Sequence, residues 1–161
     1  MDIKDTNITE LYLSWKYIGD EGLKDLCKIE FKELKKLYLN DNKISDIIVL
    51  EKVKLEKLEI LDLSINNISD IKVLEKVKFE KLELLALRYN EISDINILEK
   101  VNFKELKELY LYNNNISDIK VLENVKFNKL EILNLRNNQI STKENESIIS
   151  KMKTKIKELN I

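Results

Sequence analysis

Residues 58–68, LEILDLSINNI, decide the fold, because their pattern L-x-x-L-x-L-x-x-N-x-I returns along the chain. Each copy begins 24 residues after the preceding one. Five unbroken copies at a single period are not expected by chance, so the chain is an array of one repeated unit. The copies begin at Leu34, Leu58, Leu82, Leu106 and Leu130.

Each copy combines a strand pattern with a return pattern. The x-L-x-L-x portion alternates with a period of two, which predicts a strand with one buried face. The stretch that follows, such as residues 68–77, spaces its apolar residues more like a short helix or turn. One such unit cannot bury its own apolar side, so the copies must stack and residues 24 positions apart form columns. A helical repeat array is the alternative, and the strict L-x-L spacing argues against it.

These motifs resemble the leucine-rich repeat family over nearly the whole chain. The resemblance implies an α/β fold, a right-handed leucine-rich-repeat solenoid with a parallel β-sheet on its concave face and short helices or turns on its convex face. Residues 1–161 then form a single domain. Its units are a degenerate first repeat (8–33), regular repeats (34–57, 58–81, 82–105, 106–129), a longer last repeat (130–155) and a truncated strand (156–161).

The return segments distinguish the middle of the chain from its ends. Their repeated I-S-D-I motif is similar to that of internalins and of the leucine-rich-repeat regulatory subunit of protein phosphatase-1, although the 24-residue period departs from both. Residues 18–27 resemble the longer helical return of ribonuclease-inhibitor-type repeats, with Cys27 at an apolar position. Ser141–Glu144 fits a capping box that opens a last helix.

Three columns have a structural interpretation. The four phenylalanines share one column with Leu55, which predicts an apolar spine beneath the return segments. The aspartates of the I-S-D-I motif predict helix N-caps, with a calcium-binding row as the alternative. The resemblance implies a structural asparagine ladder, because an amide both donates to and accepts from backbone groups of adjacent turns. The ladder consists of Asn42, Asn66, Asn90, Asn114 and Asn138.

The composition argues against several functions. The chain has no His, one Cys and two Gly, so it lacks histidine-based catalytic dyads, internal disulfides, a P-loop and thiolate-rich metal sites. We expect no enzymatic activity, no cofactor and no metal. A net charge of −1 argues against nucleic-acid binding, and no stretch is long enough to span a membrane. We expect a cytoplasmic protein, although a signal peptide that had been removed would leave no trace here.

The outward-facing strand columns predict a binding surface. Five of the six tyrosines, the single tryptophan and both arginines fall in three columns around the strands. These residue types are enriched at binding hot spots, whereas Lys is depleted there. The alternative, that aromatic residues merely suit strands, does not account for the arginines. The candidate partner-binding residues are Tyr12, Trp15, Tyr38, Ile60, Asp62, Leu84, Arg88, Tyr89, Tyr110, Tyr112 and Arg136.

The sequence therefore predicts a non-catalytic protein–protein interaction module that binds a protein or peptide on its concave sheet. A regulatory subunit of an enzyme such as a protein phosphatase is one alternative, and a carbohydrate or small-ligand binder is another. Residues 156–161 look like a strand with an open edge, and open edges invite pairing. We accordingly expect a monomer or a weak end-to-end dimer.

Overall fold

The fold is one parallel sheet to which each repeat adds a strand. A computed structural model of the chain describes residue 3 and residues 5–161. Its seven strands lie side by side in chain order, and every neighbouring pair is parallel. The predicted leucine-rich-repeat solenoid is confirmed. The strands are β1 (Glu10–Tyr12), β2 (Lys36–Tyr38), β3 (Ile60–Asp62), β4 (Leu84–Ala86), β5 (Glu108–Tyr110), β6 (Ile132–Asn134) and β7 (Glu158–Asn160).

The strand register follows the repeat spacing. Leu61 of β3 pairs with Leu85 of β4, 24 residues later, and Leu11 of β1 pairs with Leu37 of β2, 26 residues later. The first and last repeats are therefore accommodated by longer returns, without a shift of register. A one-residue slip would turn the leucines to the opposite face, so their burial holds this alignment.

The return segments are short in the middle of the solenoid and helical at its ends. Two α-helices occupy the ends, α1 (Gly19–Leu26) in the first repeat and α2 (Glu146–Lys153) in the last. None of the helices in the part of the chain that the structure describes could cross a membrane. The middle returns are 3₁₀ helices at Ile48–Lys52, Lys72–Glu75, Asn96–Glu99 and Lys120–Glu123.

The starts of these helices differ in part from the prediction. The N-cap position of the first 3₁₀ helix is occupied by Ile47, one residue after the predicted Asp46. Asp46 Oδ1 accepts the N–H of Ile48, the first helical residue, at 2.8 Å, and the other aspartates of that column repeat this bond. The capping box at Ser141–Glu144 is wrong as a helix start. Ser141 Oγ accepts the Glu144 N–H at 3.4 Å, but α2 begins only at Glu146, because a separate turn precedes it.

The core lies between the sheet and the returns. The inward leucines of β2 to β6 are almost completely buried, and so are Phe31, Phe79 and Phe103 of the aromatic column. Those of the end strands β1 and β7 are partly buried. Phe127 is only half-buried, at an apolar pocket of about 250 Å³ beside α2. Cys27 packs against the same core, where burial raises the pKa of its thiol to about 11. That thiol therefore stays protonated at neutral pH.

The asparagine column forms a continuous hydrogen-bonded ladder. Asn66 Oδ1 accepts the N–H groups of Asn42 and Ile44 in the preceding repeat, at 3.1 and 2.9 Å. Its Nδ2 donates to Leu39 O in that repeat and to Leu63 O in its own, at 3.1 and 3.0 Å. Asn42, Asn90, Asn114 and Asn138 bridge their own neighbours in the same way. Each amide thereby fixes the turn that follows its strand.

Candidate protein-binding surface

The outward side chains of the strands form what we call the open face. Strand residues alternate sides, so Lys36 and Tyr38 point away from the core while Leu37 points into it. The same alternation places six of the candidate residues on the open face. They are Tyr12, Tyr38, Ile60, Asp62, Leu84 and Tyr110.

A second set of side chains lies where the strands lead into the turns, and we call it the turn row. Its six residues all have a left-handed backbone, with φ between 53° and 57°. Trp15 and Tyr89, which were expected on the concave face, belong to this row and lie just beyond the strands. The reason is that the ladder asparagine directly after Tyr89 closes a tight turn there. The turn row is Trp15, Asp41, Ile65, Tyr89, Asn113 and Asn137.

The turn row contains large apolar side chains in a backbone conformation that does not favour them. Left-handed φ is uncommon outside Gly, Asn and Asp, and it is a genuine outlier for a β-branched residue such as Ile65. Trp15, Ile65 and Tyr89 are nevertheless 66%, 43% and 51% exposed. Neither local conformation nor burial in the core accounts for these three residues.

The first aromatic cluster covers β1 and β2. The rings of Tyr12 and Tyr38 stack with centroids 4.8 Å apart and planes 6° from parallel. Tyr12 Oη donates to Glu10, whose carboxylate also pairs with Lys36 Nζ at 2.7 Å. The hydrogen bonds from Lys36 and Tyr12 lower the pKa of Glu10, and the bond to Glu10 raises the pKa of Tyr12. The carboxylate and both rings are thus held in one arrangement.

Sequence reasoning missed two residues beside this cluster. Tyr17 is 69% exposed, and Lys43 Nζ lies 5.1 Å from the centre of its ring, within the range of a cation–π contact. Both residues have left-handed φ, like the turn row two positions earlier. Their 26-residue spacing, the same as between Tyr12 and Tyr38, was the signal that could have identified them.

The second aromatic cluster is centred on Arg88, at the carboxyl end of β4. One guanidinium nitrogen donates to Tyr112 Oη at 3.0 Å, and the guanidinium carbon lies 5.8 Å from the centre of the Tyr112 ring. The edge of Tyr89 meets that ring at 5.5 Å between centroids and 75° between planes. Three candidate residues from two repeats therefore meet in one cluster, with Arg88 half-buried among them.

Tyr110 lies next to this cluster on β5. Its Oη donates to Glu108 Oε2 at 2.6 Å. Partial burial, reinforced by that hydrogen bond, raises the pKa of Tyr110 to about 12. The hydroxyl therefore remains a donor at neutral pH, and Glu108 has an acceptor oxygen already in use.

Between the two clusters the outward side chains are smaller and more deeply buried than the aromatic rings. Ile60 and Leu84 are half-buried, and Ala86 is buried at the position that Tyr38 and Tyr110 occupy on other strands. Asp62 Oδ1 accepts the Ser64 N–H at 2.9 Å. Ser64 Oγ is buried and has no hydrogen-bond partner among the described residues. Smaller side chains thus occupy the part of the open face that lies between the two aromatic clusters.

Arg136 does not join either cluster. It is exposed and lines a shallow depression with residues of α2 and β7. Its side chain has no hydrogen bond or ion pair with residue 3 or residues 5–161. Within those residues there is also no group of acidic, His or Cys side chains that could hold a metal ion.

Stacked strand-and-return units with an exposed sheet define a solenoid repeat protein. The family model for two-copy leucine-rich repeats matches residues 32–76, 80–124 and 104–148, and that for a single leucine-rich repeat matches residues 4–27. These ranges cover well over half of the sequence. The chain belongs to the leucine-rich repeat family.

Solved structures resemble the chain at the level of the fold, and the predicted similarity to internalins is confirmed. An internalin, inlF, from Listeria monocytogenes is 31% identical with a TM-score of 0.61, and the match covers 73% of this chain and 32% of that one. This chain therefore spans about a third of that internalin.

Two further structures are similar at lower identity. Internalin C2 from Listeria monocytogenes is 22% identical with a TM-score of 0.58, over 83% of this chain and 74% of that one. The plant peptide hormone receptor RGFR1, in complex with RGF2, is 22% identical with a TM-score of 0.55, over 73% of this chain and 18% of that one. These two matches show the fold alone. No curated protein matches the sequence.

Proposed function

We propose that the chain is a non-catalytic interaction module that binds a protein or peptide across its open face and turn row. The observation that carries this proposal is the exposure of Trp15, Ile65 and Tyr89 in left-handed turns. Asn or Asp would be less strained in that conformation, and both occur elsewhere in the same row. Contact with a partner gives these three side chains a role that stability does not.

The dimensions of the surface suit a polypeptide. Seven strands spaced about 4.8 Å apart give a sheet roughly 30 Å long, comparable with one side of a standard protein interface. The two aromatic clusters lie on β1–β2 and on β4–β5, so they contact separate parts of one partner. The apolar residues between them, Ile60 and Leu84, connect the clusters into a continuous patch.

The relatives are compatible with this function. Proteins of this repeat family present a sheet on which partners dock, and the RGFR1 structure contains RGF2, the second molecule of its complex. An enzyme's regulatory subunit is a narrower form of the same proposal. Stable co-purification with a catalytic subunit would distinguish that form from a general adaptor.

The experiment compares capture by matched variants. Wild-type protein is immobilised and exposed to a native lysate of the source cells, beside the triple variant Arg88→Ala, Tyr110→Ala, Tyr112→Ala. We expect a protein that the wild type retains and that the triple variant loses by at least about tenfold, because hot-spot aromatic and Arg residues dominate binding.

The control carries three substitutions on the return side, Lys52→Ala, Lys76→Ala and Lys100→Ala, and it should retain the same protein fully. Circular dichroism and thermal melts establish that all three proteins are folded. Full retention by a folded triple variant would overturn the proposal, as would loss by the control alone.

A further inference from the structure

Arg88 is held in place without a carboxylate partner. The Tyr112 hydroxyl and ring support its guanidinium on one side. No carboxylate oxygen of residue 3 or residues 5–161 lies within 4.0 Å of it. Every ion pair in that part of the chain instead uses a lysine, such as Lys107 with Glu83 at 2.8 Å. The half-buried Arg88 is thus prepared for an anion that the chain itself does not supply.

Two acidic residues on the strands either side of β4 already have partners. Glu108 accepts the Tyr110 hydroxyl through Oε2, and Asp62 accepts the Ser64 N–H through Oδ1. A guanidinium presents several N–H groups in one plane, of which Tyr112 uses one at nitrogen Nη1. The remaining donors match the two oxygens of a carboxylate.

Apolar residues of the turn row flank this cation. The N–H of Ile65 donates to the carbonyl of Arg88 at 2.9 Å, so the two residues lie on adjacent repeats. Tyr89 follows Arg88 in the chain, and both Ile65 and Tyr89 are exposed in the left-handed conformation. The Tyr112 ring therefore contacts both the cation and the Tyr89 ring, and Ile65 is exposed at the backbone position paired with Arg88.

We infer that this site recognises a segment of the partner in which an Asp or Glu side chain lies next to a large apolar residue. The carboxylate binds the Arg88 guanidinium, and the apolar side chain packs on Ile65 and Tyr89. The inference rests on the proposed function and specifies which chemistry the partner presents.

The charge arrangement favours a carboxylate over a phosphate. A phosphate group carries up to two negative charges and is commonly bound by more than one cation. The other arginine, Arg136, lies two strands away from Arg88, which is about 10 Å at ordinary strand spacing. Arg136 is exposed and makes no contact with the Arg88 cluster, so that cluster presents one cation, which a singly charged group matches best.

A peptide display library with fixed flanking sequences at both ends tests this inference, because only its side chains vary. Wild-type protein should select peptides in which Asp or Glu adjoins Leu, Ile, Phe or Trp. The variant Arg88→Gln should lose the preference for acidic residues, since an amide donates a hydrogen bond but carries no charge. The control Lys100→Gln also replaces one cation by an amide, but on the return side, and it should keep the wild-type preference.

One selected peptide, synthesised with both termini blocked, then measures the interaction between its acidic side chain and Arg88. Replacing its Asp by Asn should weaken binding to the wild type at least about tenfold, as expected for a hydrogen bond to a charged group. The same replacement should change binding to Arg88→Gln less than about twofold. Ile65→Asn should weaken the binding of both peptides equally, because it removes only the apolar contact.

Several results would overturn the inference. These are selection of peptides without acidic residues, an unchanged preference in Arg88→Gln, no selection at all, or binding that requires a free carboxyl terminus. Selection of non-acidic peptides would leave the proposed function standing. The lysate experiment tests that function independently.

Discussion

Two adjacent columns of the solenoid, the asparagine ladder and the turn row, differ in burial and in how much their residue types vary. Asn66 and Ile65 are neighbours in the same turn, yet Asn66 is buried and Ile65 is exposed. The ladder has the same residue in all five copies of the motif, whereas the turn row has Asp, Ile, Tyr, Asn and Asn in the same five copies. The difference lies in what the turn demands of each position.

At the ladder positions the turn requires an amide side chain. The backbone N–H and C=O groups there are buried and need partners, and an amide supplies both donors and an acceptor. At the turn row the turn demands only a backbone conformation, and the side chain points to solvent. The chain can therefore place binding residues in the turn row at a modest cost in stability, and not in the ladder.

The largest effect is expected at the ladder itself. Asn90→Ala removes the bonds to Ile68 N, Leu63 O and Leu87 O. The buried Ile68 N–H is left unpaired, while the two carbonyls keep the amides of Asn66 and Asn114. We expect the free energy of unfolding to fall by about 1–3 kcal/mol. Urea denaturation measures this loss, and the exposed Asn67→Ala is the matched control, with an expected change below about 0.5 kcal/mol. Equal values for both variants would remove the distinction between the two columns.

In the turn row, by contrast, a substitution should increase the free energy of unfolding. Ile65→Asn replaces a β-branched residue with one that tolerates left-handed φ, so we expect the free energy of unfolding to rise by about 1 kcal/mol. The reverse change, Asn113→Ile, places the strained residue in another repeat and should lower it by a similar amount. Urea denaturation of both variants provides the comparison. A loss of stability in Ile65→Asn would show that Ile65 is there for the fold.

A smaller, pH-dependent effect is expected at Tyr110 on the open face. Its pKa is raised from the ordinary value near 10 to about 12. The folded state therefore favours the protonated hydroxyl, and this stabilisation is complete below about pH 10 and lost as the pH rises to about 12. The free energy of unfolding of the wild type should fall more steeply over that interval than that of Tyr110→Phe.

Titration of phenolate absorbance checks the origin of this effect. The difference between wild type and Tyr110→Phe should titrate with a midpoint above that of free tyrosine. A midpoint near the ordinary tyrosine pKa would contradict the burial of Tyr110 and its bond to Glu108.

The smallest effect is expected at Ser64. Its buried hydroxyl has no hydrogen-bond partner among the described residues, so its removal relieves a desolvation cost without breaking a bond. We expect Ser64→Ala to change the free energy of unfolding by between zero and a gain of about 0.5 kcal/mol. A clear loss in urea denaturation would indicate a partner for the hydroxyl, such as a bound water molecule.

The fold could be predicted from the sequence because the patterns that determine it are local and recur in every repeat. The L-x-L pattern, its 24-residue period and the I-S-D-I returns led to the parallel sheet and to short helical or turn-like returns. The structure makes those returns 3₁₀ helices that begin two residues after each aspartate. The start of α2 was not accessible in this way. Ser141 and Glu144 have the capping-box spacing, but the turn through Asn145 competes with the helix and delays it.

The candidate site could be predicted from the sequence only in part. The columns grouped Arg88, Tyr89 and Tyr112 correctly as neighbours, because residues 24 positions apart lie on adjacent strands. They could not show that Arg88 bonds to Tyr112 while the equally outward Arg136 has no such contact. Tyr17 and Lys43 were missed because their contact depends on a backbone conformation that the strand pattern does not predict.

By itself, the sequence determined which residues are buried, which pair across the sheet and where each turn falls, because a fixed period converts spacing along the chain into spacing in the solenoid. Only the tertiary structure decided which outward side chains meet and at what strain. That outcome depends on the left-handed backbone of the turn row and on side-chain packing between repeats, and neither leaves a periodic signal. The surface where Arg88, Tyr89 and Ile65 come together is therefore a property of the folded solenoid.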